Sequence, residues 1–207
     1  MPTLLHIDVS PRGSFSISKQ LSAAAVAAWK AKHPTGKVIE RDLSKTELSF
    51  VDVHWIMGAY TPPEKHSEEH KRALALSDEL VGELQAADEI VIGTPMYNFG
   101  VPAALKAWID HVERFGETFA YGAKGLPEGL LKGKKLIVTI ASGGRYAAGT
   151  QLEYLDHELP YLRMIFGYIG ITDVTFVQAG GTARVMKQEI SAQEFLAPFV
   201  SQAQAAV

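Results

Sequence analysis

The sequence predicts one α/β domain, residues 1–207, with a doubly wound, five-stranded parallel sheet and helices on both faces. Short apolar runs alternate with longer helical patterns along the whole chain, as expected when crossover helices join parallel strands. The runs EIVIGTP and KLIVTIA are apolar at nearly every position, which is typical of strands covered on both faces. With 47% hydrophobic and 21% charged residues, the composition is that of a globular chain.

The elements follow from these patterns in chain order. Apolar and β-branched runs bounded by turn residues predict strands over residues 3–9, 37–43, 89–95, 135–141 and 173–178. Helical spacing predicts helices over residues 18–32, 68–86, 102–115, 152–169 and 187–205. Two connections, residues 44–67 and 116–133, are too long for simple loops, so we expect them to build or cover a site.

Charge and cysteine content exclude several classes of function. A net charge of −3 and a pI near 6.2 give no electrostatic reason to bind nucleic acid or an acidic membrane surface. The chain has no cysteine, so it contains no disulfide, thiol nucleophile or cysteine-ligated metal. We expect a cytoplasmic protein with no membrane partner and no metal site.

The first strand-to-helix turn, SPRGSFSISKQL, is rich in hydroxyls. A helix start favours an anion, and Ser10, Ser16 and Ser18 add neutral donors around it. The turn lacks the glycine patterns of a P-loop or of a dinucleotide-binding turn, so it suits a terminal monophosphate. The alternative is that Ser16 or Ser18 only caps the helix.

The turn TPMYNFGVP follows the third strand. It contains Asn98, the only asparagine of the chain, among Met96, Tyr97 and Phe99. An amide can match the donor and acceptor edge of a heterocycle, and the aromatic rings supply flat apolar surface. The alternative is an asparagine that merely tolerates a left-handed turn conformation.

The turn ASGGRY follows the fourth strand, and its two glycines allow close backbone approach to a ligand oxygen. A Gly-Gly pair also commonly makes a simple turn. The carboxyl ends of parallel strands share one sheet edge, where open α/β sheets bind ligands. The three turns together would hold a phosphate, a ring edge and a ring carbonyl, which are the parts of flavin mononucleotide (FMN).

The chain resembles the FMN-dependent NADH:azoreductase and quinone oxidoreductase family, which has a flavodoxin-like fold and forms homodimers. Four motifs carry the resemblance: S-x5-S-x-S from Ser10 to Ser18, PMYNF at residues 95–99, PEGL at residues 127–130, and GYIGITDV at residues 167–174. Together they span nearly the whole chain. The turn ASGGRY departs from the family's S-R-G-G-like turn, which bears on substrate preference.

The resemblance implies a role for each turn. The phosphate would be held by Ser10, Ser16, Ile17 and Ser18. The isoalloxazine ring would contact Met96, Tyr97, Asn98 and Phe99. The pyrimidine edge of the ring would face Ser142, Gly143 and Gly144.

The implied reaction is two-electron transfer from NADH or NADPH to a quinone or azo compound, with ping-pong kinetics. No catalytic side chain is obligatory, because a bound flavin carries the chemistry. A flat apolar wall for donor and acceptor would be formed by Phe119, Tyr121, Tyr146 and Phe166. The alternative on the same fold is an electron carrier or a non-catalytic flavin-binding module.

Other constellations fit less well. HSEEH at residues 66–70 matches a zinc-peptidase pattern without a third ligand, and Ser142, Asp156 and His157 lack the G-x-S-x-G context of a hydrolase. Phosphatases of similar fold need a cysteine nucleophile. A helical apolar stripe is formed by Leu152, Leu155, Leu159, Leu162, Phe166 and Ile169. It indicates either a core helix, with Pro160 as a kink or a later start, or a dimer contact.

Overall fold

A computed structural model describes residues 1–207. Its strands are β1 (Thr3–Asp8), β2 (Lys37–Asp42), β3 (Glu89–Pro95), β4 (Phe119–Tyr121), β5 (Pro127–Gly129), β6 (Lys135–Ser142) and β7 (Asp173–Gly180). Its helices are α1 (Ile17–Lys32), α2 (Val53–Ala59), α3 (Glu68–Ala86), α4 (Ala103–Val112), α5 (Glu158–Tyr168), α6 (Ala183–Met186) and α7 (Ala192–Ala205). No helix is both long enough and apolar enough to cross a bilayer.

The main sheet has five parallel strands in the order β2-β1-β3-β6-β7. The order reverses between β1 and β3, so the connections after these strands leave on opposite faces and open a crevice at their carboxyl ends. The register brings the ends together: Asp8 pairs with Gly93, and Pro95 pairs with Ala141. The predicted doubly wound, flavodoxin-like fold is confirmed.

Two hydrophobic layers cover the sheet. In β1, Leu5 and Ile7 belong to the cluster that also contains Leu84 of α3 and Trp108 of α4. Leu4 belongs to the opposite cluster, with residues of α1 and α7. Alternate residues of one strand therefore serve different layers, which explains why the strand sequences are apolar almost throughout.

The predicted strands match the observed ones to within two residues, and α3 spans its predicted range. Two helices start later than predicted. Helix α5 begins at Glu158, which places Pro160 in its first turn, where the missing N–H costs no helical bond. Helix α7 begins at Ala192, because Gln188 adopts a positive φ of 59° and Ser191 then caps the helix. The helix predicted over residues 102–115 corresponds to α4, which is shorter at both ends.

The two long connections contain short elements that the sequence pattern does not predict. Residues 44–67 include α2, whose start is capped by Asp52 accepting from the Trp55 amide at 2.8 Å. Residues 116–133 include the antiparallel hairpin of β4 and β5. Both elements pack on the domain, and short elements of this kind form only with such packing.

Candidate functional site

Helix α1 begins with free amide groups at the carboxyl end of β1. Ser16 is its N-cap, and its Oγ accepts from the Lys19 amide at 3.3 Å. The amides of Ile17 and Ser18 donate no hydrogen bond within the chain. Because the helix dipole also points its positive end here, this turn has the donors and the electrostatic field that suit an anion.

A cavity of about 160 Å³ lies in front of this helix start. Its lining includes seven of the predicted site residues: Ser10, Ser16, Ile17, Ser18, Met96, Tyr97 and Gly143. The structure therefore joins three of the predicted turns around one space. No acidic side chain lines it, and Arg12 is the one cation among its lining residues.

Charged side chains tie the first turn of α1 to the sheet. Lys19 Nζ lies 2.8 Å from Asp42 Oδ2 at the end of β2 and 3.9 Å from Asp8 Oδ2 at the end of β1. Burial alone would raise the pKa of Asp42, but hydrogen bonds from Lys19 and Ser44 hold it below its usual value. Lys19 thus fixes the start of α1 to the ends of β1 and β2, while the first amides of the helix stay free.

The turn after β3 has a strained backbone. Tyr97 and Gly100 exchange two backbone hydrogen bonds, of 3.0 and 3.1 Å, around Asn98 and Phe99. The φ angles of Asn98 and Phe99 are 49° and 69°, as in a type I′ turn. Asparagine adopts this region readily, but phenylalanine does so at a cost. The left-handed conformation considered for Asn98 is therefore present, and its role toward a ligand stays a prediction.

Two aromatic rings of this turn remain half exposed: Tyr97 at 43% and Phe99 at 41%. Phe99 meets Tyr146 edge to face, with ring centroids 5.8 Å apart. Asn98 lines a second, more open cavity of about 680 Å³ that shares Tyr97 with the first. The turn thus presents flat apolar surface and an amide beside the anion receptor.

The glycine turn after β6 offers further amides. Those of Gly143 and Gly144 donate no hydrogen bond within the chain. A Cβ placed on Gly143 would meet nothing within 4 Å, so the space above it is open, whereas one on Gly144 would lie 2.7 Å from the Tyr146 ring. Ser142 turns inward, donating to the Gly144 carbonyl at 2.9 Å, and lines a different cavity together with Tyr146.

The predicted apolar wall is not assembled within this chain. Phe166 is 1% exposed and lies in the core beside Trp108, so its assignment to a substrate wall is wrong for the chain by itself. Phe119 is 4% exposed and packs with Tyr168. Tyr121 is exposed and contacts Phe115 and Phe119, and neither Phe99 nor Tyr146 is among its aromatic contacts. Apolar character alone cannot tell an inward ring from an outward one.

Five residues of the first cavity are not among the predicted site residues: Arg12, Pro95, Ala141, Thr182 and Met186. Pro95 and Ala141 directly precede the predicted residues Met96 and Ser142. Arg12 is part of the serine turn itself. Thr182 and Met186 follow β7, whose carboxyl end reaches the same sheet edge and contains the first residue of the pair Gly180–Gly181, much as the pair Gly143–Gly144 follows β6. That repeated signal predicts a fourth contributing turn.

A buried acid lies behind the turn of residues 96–99. Glu158 is 0% exposed, and its Oε1 is 3.0 Å from Thr94 Oγ1. Its Oε2 has no hydrogen-bond partner. Burial, with a smaller contribution from the Asp156 charge, raises the pKa of Glu158 to about 9 although the Thr94 hydrogen bond opposes the shift. Glu158 is therefore neutral at pH 7.

The rival constellations have other roles in the fold. His66 Nε2 lies 2.8 Å from the Thr61 carbonyl and 3.1 Å from that of Gly58. The Ser142 hydroxyl is bonded to Gly144, and Asp156 accepts from the backbone of α5 and from Gln178. Neither set has the geometry of the zinc site or hydrolytic triad that its sequence resembles.

Comparison with known proteins agrees with this architecture. A family model described as a flavodoxin-like fold matches residues 2–202. The chain is 48% identical over 206 residues to FMN-dependent NADH:quinone oxidoreductase 2 of Jannaschia sp. (strain CCS1), covering 100% of this chain and 99% of the relative. It is 46% identical to FMN-dependent NADH:quinone oxidoreductase 8 of Burkholderia lata over 97% and 94% of the two chains. The crystal structure of an azoreductase from Bacillus anthracis str. Sterne superposes with a TM-score of 0.88 at 29% identity, covering 99% and 98%.

Proposed function

The chain belongs to the flavodoxin-like family of FMN-dependent NADH:quinone oxidoreductases and azoreductases, and we propose that it reduces quinones and azo compounds with electrons from NADH or NADPH. The observation that carries the proposal is the single cavity shared by the open start of α1, the turn of residues 96–99 and Gly143. That cavity combines an anion receptor with aromatic surface.

The donor set at α1 fits the phosphate of FMN. The free amides of Ile17 and Ser18 and the hydroxyls of Ser10, Ser16 and Ser18 are neutral donors, and Arg12 adds a charge at the rim. A monophosphate carries about 1.5 to 2 negative charges at pH 7, so it suits a helix start with free amides. Ser16 both caps the helix and lines the cavity, so the two interpretations of the serines are compatible.

The two neighbouring turns fit the ring system. We assign Met96 and Tyr97, which line the first cavity, to apolar contacts with the ring, and Asn98, which lines the second, to a hydrogen bond with its edge. Phe99 lines neither cavity, and we assign it to a ring contact because it is exposed in the same turn. We assign the free amides of Gly143 and Gly144 to the pyrimidine edge of the ring, where negative charge develops on reduction. Ser142 holds the shape of this glycine turn through its bond to the Gly144 carbonyl.

FMN, when bound, supplies two-electron chemistry: hydride uptake from a nicotinamide and electron delivery to an acceptor. The chain's own residues bind and orient. Tyr97, Phe99 and Tyr146 are exposed enough to receive a flat nicotinamide or acceptor in turn. We infer ping-pong kinetics with two reduction cycles for one azo bond, and no side chain is needed as a proton donor at the reacting atoms.

We also propose a homodimer in the cytoplasm, where its nicotinamide donors are available. Exposed apolar side chains support a partner surface: Val53, Ile56, Met57 and Tyr60 on or beside α2, and Met164 on α5. A second copy would also supply apolar residues to complete the acceptor wall that one chain lacks. Light scattering of the holoprotein should give twice the mass of 22.5 kDa.

The test of the function is direct. The purified protein should be yellow and release one FMN per chain on denaturation. It should oxidise NADH only when a quinone or azo dye is present, with parallel double-reciprocal lines. Colourless protein that FMN does not reconstitute would refute the cofactor, and NADH oxidation that needs a separate reductase would indicate an electron carrier. Intersecting lines would contradict the shared position of donor and acceptor.

A further inference from the structure

The buried carboxyl of Glu158 has no role in the proposed function so far. Its side chain is enclosed, with Thr94 as its one hydrogen-bond partner and no partner for Oε2. A buried carboxylate normally has a cation or several donors around it, because an unpaired buried charge is very costly. The surroundings of Glu158 therefore suit a neutral carboxylic acid.

The hydroxyl of Thr94 leads to the same conclusion. Its Oγ1 lies 3.0 Å from Glu158 Oε1 and 3.2 Å from the Pro95 carbonyl oxygen. A hydroxyl has one proton and cannot donate to both acceptors at full strength. A protonated Glu158 resolves the conflict, since the acid donates to Thr94 Oγ1 and Thr94 donates to the Pro95 carbonyl. An ionised Glu158 would instead accept the hydrogen bond of Thr94, and the Pro95 carbonyl would lose it.

This relay ends on the peptide group that leads into the turn of residues 96–99. The carbonyl of the Pro95–Met96 peptide accepts from Thr94, and its N–H donates to the Ala141 carbonyl at 2.9 Å. At the other end of the turn, the His157 amide donates to the Phe99 carbonyl at 3.0 Å. The start of α5 therefore bonds both ends of the strained turn. His157 bonds the Phe99 carbonyl directly, and Glu158 acts on the Pro95 carbonyl through Thr94, in a way that depends on the Glu158 proton.

Few charges act on Glu158 from its surroundings. Asp156, on its own segment, is the ionisable group that raises its pKa after burial. Strand β3 contributes only the Thr94 hydroxyl. On α4, Lys106 is paired with Asp110 and also interacts with Tyr161. On β7, the neutral side chain of Gln178 donates to Asp156 at 2.9 Å. No cation is present to stabilise an ionised Glu158.

We infer that Glu158 is a positioning residue: as a neutral acid it holds, through Thr94, the turn of residues 96–99 in the shape that binds the flavin ring. This inference rests on the proposed FMN function. Loss of the proton releases the Pro95 carbonyl and leaves an uncompensated charge behind the turn. FMN binding should therefore weaken at alkaline pH for a reason internal to the fold.

The experiment titrates FMN-free protein with FMN between pH 7 and pH 10, a range in which the FMN phosphate stays a dianion. If binding requires neutral Glu158, the wild-type Kd should rise about tenfold between pH 7 and pH 10. Glu158→Gln keeps a donor but never ionises, so its Kd should match wild type at pH 7 and stay flat. Glu113→Gln removes another carboxyl whose pKa is raised by burial, and it should keep the wild-type rise.

Two further measurements separate this inference from the function itself. The folded protein keeps the Glu158 proton that the unfolded chain releases above pH 4.5, so FMN-free wild type should lose stability relative to Glu158→Gln as pH rises from 5 to 9. At pH 7, Thr94→Val should bind FMN less tightly than Thr94→Ser, which retains the hydroxyl. Equal pH profiles for wild type and Glu158→Gln in either assay would overturn the inference. Absence of FMN binding in all variants, with the stability difference present, would instead refute the FMN function and with it this role.

Discussion

Helices α1 and α5 both begin at the carboxyl edge of the sheet, yet their first turns are built in opposite ways. At α1 the amides of Ile17 and Ser18 have no partner in the chain. At α5 the amides of Glu158 and Leu159 both donate to Asp156 Oδ1 at 3.0 Å, and Pro160 has no N–H to donate. One helix start is open to an anion, and the chain's own carboxylate closes the other.

Under the proposed function, this difference separates a helix that binds the ligand from one that supports the site. A helix N-terminus attracts an anion only while its amides are free and no carboxylate already occupies the position. The open start of α1 lines the cavity, and the closed start of α5 lies behind the turn of residues 96–99 and holds it. Variants that close α1 or weaken α5 test this division.

The largest effect is expected from Ser16→Asp, which closes α1 with a carboxylate as Asp156 closes α5. Aspartate caps helices as well as serine does, so the free energy of unfolding of the FMN-free protein should change by less than about 1 kcal/mol. The carboxylate would repel the FMN phosphate by ~4 kcal/mol at 4 Å with an effective dielectric constant near 20. Even half of this value weakens FMN binding more than tenfold. Fluorescence titration measures the loss.

Ser67→Asp is the matched control for that variant. Ser67 caps α3 in the same manner, accepting from the His70 amide at 3.2 Å, but it lies outside the cavity. Its FMN affinity should equal that of wild type. Equal affinities in both aspartate variants would mean that Ser16 only caps the helix.

A smaller effect is expected from Asp156→Ala, which opens the start of α5. The amides of Glu158 and Leu159 lose their acceptor, and Gln178 loses a bond of 2.9 Å. Loss of a cap of this kind should lower the free energy of unfolding by about 1 to 2 kcal/mol. Denaturant unfolding of the FMN-free protein measures it, and an unchanged midpoint would contradict the supporting role of α5.

Asn98→Gly tests the turn that lies between the two helix starts. Glycine adopts the positive φ of 49° without strain, so the fold should be kept. Alanine would be strained at this φ and would confuse a conformational effect with a loss of binding. If Asn98 bonds the edge of the flavin ring, FMN affinity should fall by about 0.5 to 1.5 kcal/mol. Wild-type affinity and turnover in this variant would leave Asn98 with a purely conformational role.

The smallest effect is expected from Lys19→Gln, which removes the anchor beneath α1. The low pKa of Asp42 makes a contribution to stability that is present above pH 4 and is lost as the pH falls through the lowered value. Without Lys19, that acidic loss should shrink by under about 1 kcal/mol, as is usual for a pair near the surface. Thermal unfolding between pH 5 and pH 3 tests this, and identical acid limbs would contradict the anchor.

The sequence predicts the sheet well because buried parallel strands are continuous apolar runs, and their bounds are visible without knowledge of their partners. Helix starts are harder to predict. The apolar stripe continues backward through residues 152–155, but those residues form a separate turn, and α5 begins only at Glu158, whose amide donates to Asp156. Helix α2 and the hairpin of β4 and β5 are too short to carry a periodic signal of their own.

The site residues also divide into those that the sequence predicts and those that it does not. Local turns such as the serine turn carry their chemistry in consecutive residues, so the sequence places Ser10, Ser16, Ile17 and Ser18 together. The contact between Thr94 and Glu158 joins residues 64 positions apart, and no local pattern predicts it. The interpretation of Phe166 as an exposed ring was wrong for a related reason, because helical periodicity identifies an apolar face but not what covers that face.

The most direct test of the account is a comparison of FMN with riboflavin as ligands of the FMN-free wild-type protein. The two ligands share the ring and differ in the phosphate, which is the part assigned to the open start of α1. Several hydrogen bonds to a charged group should make FMN bind at least about a hundredfold more tightly, at one site per chain. Equal dissociation constants for FMN and riboflavin would contradict the assignment of α1 as the phosphate receptor.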